Sequence, residues 1–464
     1  MKHLLDQDTI FALSSAPGRA GIAVVRISGN RAGEALHALA NIVPEPRRAK
    51  RAALRDPQTG ELLDRGLVLW FPGPNSVTGE NVAELHLHGG RAVVAGVLEA
   101  LAAIPGLRPA EAGEFTRRAF EAGKMDLAET EALADLLEAD TAAQRRQALR
   151  GLDHGIGRKA EAWREALIGA LALAEAEIDF PDEGDVPAGL TDRAHAIAAG
   201  LAAEMRAALE QKGGERLREG AVVVIAGPPN AGKSSFLNRI ARREVAIVSP
   251  YAGTTRDMLE VSVDLGGYPA TFIDTAGLRK TDDPVEREAL RRARERAAQA
   301  DLVLWFEAPD APGEPDVSGA APVWRVRNKS DLGESLPSVM PGLVPGIQPD
   351  VRFMDCRDKP GNDAGRFFLL SAFTGDGVAD LLTVLSDWLR QNFEPGESAL
   401  ITRSRHRAAL GEALRHLEAA RQQSAPELFA EELRLSGRAL GRISGRVDVE
   451  DVLDAIFGSF CIGK

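Results

Sequence analysis

Apolar positions along the chain follow three patterns, and the pattern changes at recognisable places. In residues 1–122, short β-branched runs alternate with turn-rich loops. Gly21-Ile-Ala-Val-Val-Arg-Ile-Ser28 is strand-like, ends at Gly29-Asn30, and is followed by an Ala/Leu-rich helix. Residues 67–71 and 82–88 read as further strands, the second alternating as Val-Ala-Glu-Leu-His-Leu-His. Pro72-Gly-Pro-Asn-Ser-Val-Thr-Gly79 between them is a turn-rich loop. From 123 to about 215, Ala, Leu, Glu and Arg dominate, with helical spacing at Leu127, Leu133, Leu136 and Leu137. Residues 396–464 return to that character, with Leu410, Leu414 and Leu417 on one stripe. Between these two helical stretches the run 222–225 is β-branched and uncharged, as a buried parallel strand should be, and further apolar patches follow at 270–273, 323–326 and 367–370. The pattern predicts a multidomain chain: an α+β N-terminal domain (1–122), a helical domain in two pieces (123–215 and 389–464), and an α/β domain (216–388) interrupting it.

One segment breaks the pattern. Residues 332–370 run through Pro/Gly clusters without helical or strand period, and so long a structureless connection is uncommon inside a compact domain. It reads as a surface insertion and resembles translated in-frame repeat elements of some bacterial genes. Cys356 lies within it and reads as incidental.

The length of 464 residues fits about three domains at roughly 150 residues each. A net charge of −12 gives no global attraction for nucleic acid, so such a substrate would need a local patch or a partner protein. The basic group Arg403, Arg405, His406 and Arg407 reads as a solvated helix face, with nucleic-acid contact the lesser alternative. Only two cysteines occur, which argues for a reducing cytosol over a disulfide framework. No signal-peptide core opens the chain and no apolar run is long enough to cross a bilayer, so the expected location is cytoplasmic.

The chemistry begins at Gly227-Pro-Pro-Asn-Ala-Gly-Lys-Ser234, directly after the strand-like run 221–226. This Gly-x-x-x-x-Gly-Lys-Ser spacing is a phosphate loop. Its glycines let the backbone wrap a phosphate, and the amides of Asn230, Ala231, Gly232, Lys233, Ser234 and Ser235 open the next helix. Lys233 can reach the β and γ phosphates, and the Ser234 hydroxyl can bind Mg²⁺. Four partners follow in order: Gly253-Thr254-Thr255-Arg-Asp, Asp274-Thr275-Ala276-Gly277, Asn328-Lys329-Ser-Asp331 and Ser371-Ala372, with Phe373 next. Asp274 ends an apolar run and can hold Mg²⁺ through water. Thr255 sits on a loop that can fold over the γ phosphate. The Asp331 carboxylate can accept two hydrogen bonds from a guanine edge, where adenine offers no matching donors, and Ser371-Ala372 backs the base. Five motifs in order predict GTP binding and hydrolysis.

Two departures from a Ras-type switch stand out. Leu278 follows Asp274-Thr-Ala-Gly, where Ras-like enzymes carry a water-orienting Gln. Glu286 can take that role through a bridging water, or can merely decorate the first turn of a helix. No arginine finger is evident; Asn230, with backbone carbonyls from the 249–254 loop, can hold K⁺ beside the phosphates instead. In the N-terminal domain, His86 and His88 share a strand face without a visible third ligand and read as ordinary strand residues. Cys461 reads either as an inert small hydrophobe or as a nucleophile or acid, if its pKa is lowered.

The chain resembles the bacterial tRNA-modification GTPase family called MnmE or TrmE over nearly its full length, apart from 332–370. The resemblance rests on Pro17-Gly-Arg-Ala-Gly-Ile-Ala-Val-Val-Arg-Ile-Ser-Gly29, Pro72-Gly-Pro-Asn-Ser-Val-Thr-Gly-Glu80, Glu84-Leu-His-Leu-His-Gly-Gly90, Gly113-Glu-Phe-Thr-Arg-Arg-Ala-Phe120, the GTPase motifs and the terminal Phe460-Cys-Ile-Gly-Lys464. It implies an N-terminal domain that dimerises and binds a tetrahydrofolate one-carbon donor (5-formyl- or 5,10-methylene-tetrahydrofolate), and a helical domain interrupted by a Ras-like P-loop GTPase domain. Arg26, Glu84, Lys124 and Lys464 are then the folate candidates, although Arg26 alone reads as a strand-end surface charge. The resemblance further implies K⁺ on Asn230, Ser249, Tyr251 and Thr254, with Pro250, Ala252 and Gly253 in the same nucleotide loop. It gives Mg²⁺ to Ser234 and Thr255, water positioning to Glu286 and a functional role to Cys461. Ser249 stands where threonine is common in the family. The implied partners are a second copy of the chain, an FAD-dependent protein of the MnmG (GidA) type, and tRNA, whose wobble uridine would receive a (carboxymethyl)aminomethyl group at C5. The alternatives are a ribosome-assembly or regulatory RNA-binding GTPase switch, against which the lack of a Gly-x-x-Gly KH loop counts, and a folate-dependent transferase acting without tRNA.

Overall fold

The computed structural model describes residues 8–179, 189–211, 213–242, 260–274, 298–313, 321–332, 366–393, 400–423, 425–447, 453, 456–458, 460 and 462–463. The chain divides into two compact units. One comprises Met1–Leu137, Arg150–Met205 and Ala408–Lys464, and the other Glu138–Leu149 and Arg206–Arg407.

The first unit opens with β1 (Thr9–Leu13), β2 (Ala20–Ser28), α1 (Ala32–Ala40), β3 (Lys50–Arg55), β4 (Leu62–Phe71), β5 (Val82–Gly89), α2 (Arg91–Ala102), β6 (Leu107–Pro109) and α3 (Glu114–Glu121). The six strands form one sheet in the order β3-β4-β5-β2-β1-β6, antiparallel except for the β1/β6 pair. Alternation along β2 and β5 sends Val25, Ile27, Ala83, Leu85 and Leu87 to one face. There they pack against Leu36 and Leu39 of α1 and Val97 and Leu101 of α2. Full burial of one such leucine or isoleucine contributes about 1.5–3 kcal/mol, enough for two short helices to be held by packing rather than by propensity. The alternate positions Arg26, Glu84 and His86 lie on the opposite face.

The helical part continues as α4 (Leu127–Glu138), α5 (Ala142–His154), α6 (Ile156–Asp179) and α7 (Leu190–Glu210). Leu127 is buried as the helical spacing predicts, whereas Leu137 is 49% exposed and does not belong to the stripe. The second unit contains α8 (Gly214–Glu219), β7 (Ala221–Ala226), α9 (Lys233–Ala241), β8 (Glu260–Leu265), β9 (Tyr268–Asp274), β10 (Leu302–Glu307), β11 (Val323–Arg327), β12 (Phe367–Leu369) and α10 (Val378–Phe393). The chain then forms α11 (Ser404–Ala420) and α12 (Pro426–Ser444). Helix α12 lies along α6 within the first unit. Leu410, Leu414 and Leu417 of α11 are buried. Near the C-terminus, Phe457 and Phe460 pack with Ala134 and Phe120, Ile462 bridges Ala112, and Ser14 Oγ donates to the Gly463 carbonyl at 2.9 Å.

The sheet of the second unit runs β12-β11-β10-β7-β9-β8, parallel except for the β8/β9 hairpin. That hairpin turns through Gly266 and Gly267, both at positive φ (64° and 94°), as a two-residue hairpin of this hand requires. Strands β7, β9 and β10 are largely apolar runs, β11 alternates its buried Trp324 and Val326 with Arg325 and Arg327, and Phe236, Phe272, Phe306 and Trp324 fill the space between sheet and helices. The basic group at the start of α11 is not a uniformly solvated face. His406 is buried, and Arg407 donates to the Glu215 carboxylate (2.8 Å) and to the Leu209 (2.7 Å) and Gln211 (3.2 Å) carbonyls.

Candidate functional site

The carboxyl ends of β7, β9, β11 and β12 bring the described GTPase motifs to one edge of the second sheet, where open α/β folds place ligands. The phosphate loop leaves β7 through Gly227 at φ 134°, where a Cβ would stand 2.0 Å from the Phe306 carbonyl oxygen. It closes at Gly232 (φ 89°), where a Cβ would stand 2.0 Å from Asn328 Nδ2. No side chain fits at either position, so both glycines are fixed by close approach. Asn230, between them, also takes a positive φ of 64°.

Helix α9 begins at Lys233, whose side chain is buried and donates to the Gly227 and Pro228 carbonyls at 2.8 Å each. A buried ammonium needs such acceptors, and here the loop's own oxygens supply them. Ser234 Oγ donates to Asp274 Oδ2 at 2.8 Å, so the hydroxyl and the carboxylate at the end of β9 converge beside the loop. Ser235 is exposed on the first turn of the helix.

The base-reading segments are tied to this loop. Asn328, 2% exposed, donates from Nδ2 to the Ala231 carbonyl and accepts the Ala372 N–H at Oδ1, both at 2.8 Å. Ser371 Oγ donates to Asp331 Oδ1 at 2.5 Å and accepts the Thr374 N–H at 3.1 Å. Lys329, at φ 63°, pairs with Asp310 at 2.5 and 2.8 Å, and that ammonium holds the Asp310 carboxyl below the usual range. Ala372 is buried, whereas Phe373 is 84% exposed.

Asn230, Ala231, Gly232, Lys233, Ser234, Asp274, Asn328, Lys329, Asp331, Ser371, Ala372 and Phe373 thus meet at one edge. Ser249, Pro250, Tyr251, Ala252, Gly253, Thr254, Thr255, Thr275, Ala276, Gly277, Leu278 and Glu286 lie outside the described residues, as do Cys461, Lys464 and residues 333–365 of the expected insertion. Two participants escaped the sequence reading. Asp310 belongs to no motif, and Arg239, in the last turn of α9, reaches the Ala372 and Phe373 carbonyls. Neither carries a local signal, because each partner is distant in sequence.

In the first unit, Arg26 donates from Nε and Nη2 to Glu84 Oε1 at 3.1 and 2.9 Å, and its guanidinium carbon lies 5.8 Å from the centre of the Phe115 ring. His86 Nε2 is 3.3 Å from Glu84 Oε2. His88 instead pairs with Asp64 at 2.8 Å. Lys124 lies beside the 72–80 loop, its Cε 3.4 Å from where a Cβ on Gly79 would be. Further along, Arg118 joins Glu80 (3.0 Å) to Glu114 (2.9 Å), and Arg108 joins Glu114 (2.7 Å) to Asp8 (3.1 Å). Burial pushes the Glu114 carboxyl up, but hydrogen bonds from Arg108, the Glu111 amide and Arg118 outweigh it and hold it below the usual range. Among the described residues no group of three or more His, Cys, Asp and Glu side chains is arranged to hold a metal. No described helix is long and apolar enough to cross a membrane.

A phosphate loop, a hydroxyl–carboxylate pair at its exit and an Asn-Lys-x-Asp segment backed by Ser-Ala define a P-loop GTPase. Residues 9–124 match the family described as GTP-binding protein TrmE N-terminus, and residues 127–461 match the MnmE helical domain. Over the whole of both chains, this chain is 55% identical to the tRNA modification GTPase MnmE of Rhodopseudomonas palustris strain CGA009. The same protein of Bradyrhizobium sp. strain ORS 278 is 54% identical, again over both whole chains. That of Azorhizobium caulinodans is 53% identical over 98% of this chain and 99% of its own. The chain belongs to the MnmE (TrmE) family.

Proposed function

We propose that the chain is a tRNA modification GTPase that couples GTP hydrolysis to installing a (carboxymethyl)aminomethyl group at C5 of the wobble uridine of certain tRNAs. It works as a homodimer with an FAD-dependent partner of the MnmG type, in the cytoplasm, and takes its one-carbon unit from a tetrahydrofolate derivative. The observation that carries the tRNA-modification GTPase reading is 55% identity over the full length to a relative named tRNA modification GTPase MnmE. The domain assignment follows the sequence reading: 1–122 for folate and dimerisation, 123–215 and 389–464 helical, 216–388 for GTP.

The residues at the nucleotide edge suit the roles this requires. Lys233 has two donors on loop carbonyls that it can transfer to the phosphates. Asp331 offers a carboxylate to the guanine edge, with Ser371 fixing one of its oxygens. Ser234 and Asp274 present hard oxygens 2.8 Å apart, the donor chemistry Mg²⁺ favours, and Thr255 would complete the set. Asn230 contributes an amide oxygen toward K⁺, with Ser249, Tyr251 and Thr254. Bound Mg²⁺ and K⁺ supply positive charge where negative charge develops on the transferring phosphoryl group. Glu286 orients the attacking water.

On the N-terminal sheet, Glu84 offers a carboxylate to a pterin's amide and amino groups, while Arg26, Lys124 and Lys464 suit the folate glutamate tail. The Arg26–Glu84 pair, held on adjacent strands at 2.9 Å, keeps both groups oriented before a ligand arrives. Cys461 acts beside this site.

The test uses the purified chain. GTP hydrolysis should be faster in K⁺ than in Na⁺ at equal ionic strength, and equilibrium dialysis should show saturable 5-formyltetrahydrofolate binding. Equal rates in the two salts remove K⁺ from the account, and absence of folate binding removes the one-carbon chemistry.

A further inference from the structure

Arg239 links the two ends of the nucleotide site. It sits in the last turn of α9, the helix that starts at the phosphate-binding Lys233. Its Nε donates to the Ala372 carbonyl at 2.5 Å, and its Nη2 donates to the Phe373 carbonyl. Both acceptors are main-chain oxygens of the loop that backs the base, so the guanidinium acts as a brace between helix and loop. The next turn is shaped around it: Gly375 takes φ 100°, and a Cβ there would lie 2.7 Å from Arg239 Nη1. On the other side, the Ala372 N–H donates to Asn328 Oδ1, and Asn328 Nδ2 donates to the Ala231 carbonyl in the phosphate loop. The connections close a ring: phosphate loop, Asn328, base loop, Arg239, α9 and back to the phosphate loop.

We propose that Arg239 is a positioning residue that locks the base loop to the phosphate-loop helix, so that the guanine pocket is formed before nucleotide arrives. The chemistry favours arginine for this task. Its rigid planar fork matches two neighbouring carbonyls, whereas a lysine offers one flexible ammonium. The consequence falls on the base, because Ser371 at the head of the braced loop also fixes Asp331, the guanine reader. A loop ordered in advance removes an ordering cost from binding. Loss of the brace therefore weakens recognition of the base and leaves the phosphate cradle intact. The inference rests on the reading of this edge as a guanine-nucleotide site.

The experiment compares wild type, Arg239→Met and Arg239→Lys in the full chain, each first shown by thermal melting to be folded. Met keeps the length of the stem and removes the donors. A fluorescent GDP derivative reports affinity and dissociation rate, and inorganic tripolyphosphate serves as a phosphate-only competitor. Loss of two hydrogen bonds should raise the GDP dissociation constant about tenfold through faster dissociation in Arg239→Met, with Arg239→Lys between it and wild type. The tripolyphosphate affinity should change by less than about twofold, and KM for GTP should rise while kcat holds, because uniform binding is lost. An unchanged GDP affinity in Arg239→Met overturns the inference, and so does an equal weakening toward tripolyphosphate. Wild type that fails to bind GDP overturns the nucleotide reading itself, a result distinct from either.

Discussion

The nucleotide edge of the second sheet and the polar face of the first solve the same problem in opposite ways. Both gather charged and polar groups that are in part buried, and both satisfy them with protein partners. At the nucleotide edge much of this is done through the main chain: Lys233 rests on the Gly227 and Pro228 carbonyls, Asn328 on Ala231 and Ala372, and Arg239 on Ala372 and Phe373. Of these contacts, the Lys233 bonds to the loop carbonyls can be exchanged for phosphate oxygens, while Asn328 and Arg239 hold the loops in place. On the N-terminal face, side chains satisfy side chains: Arg26 with Glu84, and Asp8, Arg108, Glu114, Arg118 and Glu80 in an extended network. Partly buried pairs of that kind are costly to break singly, because each removal strands a charge. The first region frees a cation for its ligand, whereas the second presents side chains already oriented by their own pairing.

The sharpest way to break this contrast is at Lys233. In Lys233→Ala the loop loses its only buried cation, and GTP hydrolysis should fall by at least about a hundredfold, the scale of losing a preorganised charge at a developing anion. Nucleotide titration and phosphate release would measure it. A loss below tenfold would mean that the lysine stays on the loop carbonyls throughout turnover.

A smaller effect is expected at Glu84→Gln. Folate affinity should fall about tenfold, since a neutral amide replaces the anionic acceptor and leaves Arg26 half-buried without its counter-ion. Equilibrium dialysis measures this, while GTP hydrolysis by the same protein should be unaffected because Glu84 belongs to the other unit.

The smallest expected effect concerns pH. The folded-state pKa of Glu114 is depressed, so its contribution to stability is present above its unfolded pKa and is lost as pH falls through the folded value. The first unit should therefore lose stability as pH drops below about 4.3, and Glu114→Gln should flatten that part of the profile by about 1 kcal/mol. Denaturant titrations at several acidic pH values would read it. An unchanged slope would show that the network's other carboxylates dominate.

The same contrast explains what could be read from the sequence. A motif is legible when the physics demands neighbouring residues, as a phosphate loop does with its two glycines, lysine and serine in eight positions. The apolar runs of β7 and β9, and the shorter patch of β11, are legible for the same reason. Contacts between distant residues leave no such trace. Arg239 follows Lys233 by six residues, but its meaning depends on a loop more than 130 positions later. Asp310 acquires its role only because β10 lies beside β11. Strand β3 carries charges on exposed positions and no clean apolar signature, whereas β8 alternates polar residues with the buried Val261, Val263 and Leu265. Leu137 continued a helical period that the fold does not use. The Arg26–Glu84 pair arises from the register of β2 against β5, which no single segment encodes.

The central claim, that GTP hydrolysis at this site serves tRNA modification, is tested most directly by nucleoside mass spectrometry of tRNA from a source strain lacking the chain. The strain is complemented either with the wild-type gene or with the Lys233→Ala variant at matched protein level. The account predicts that the modified wobble uridines disappear without the chain, return with wild type and stay absent with Lys233→Ala. Unchanged uridines in the deletion, or full restoration by Lys233→Ala, would contradict it.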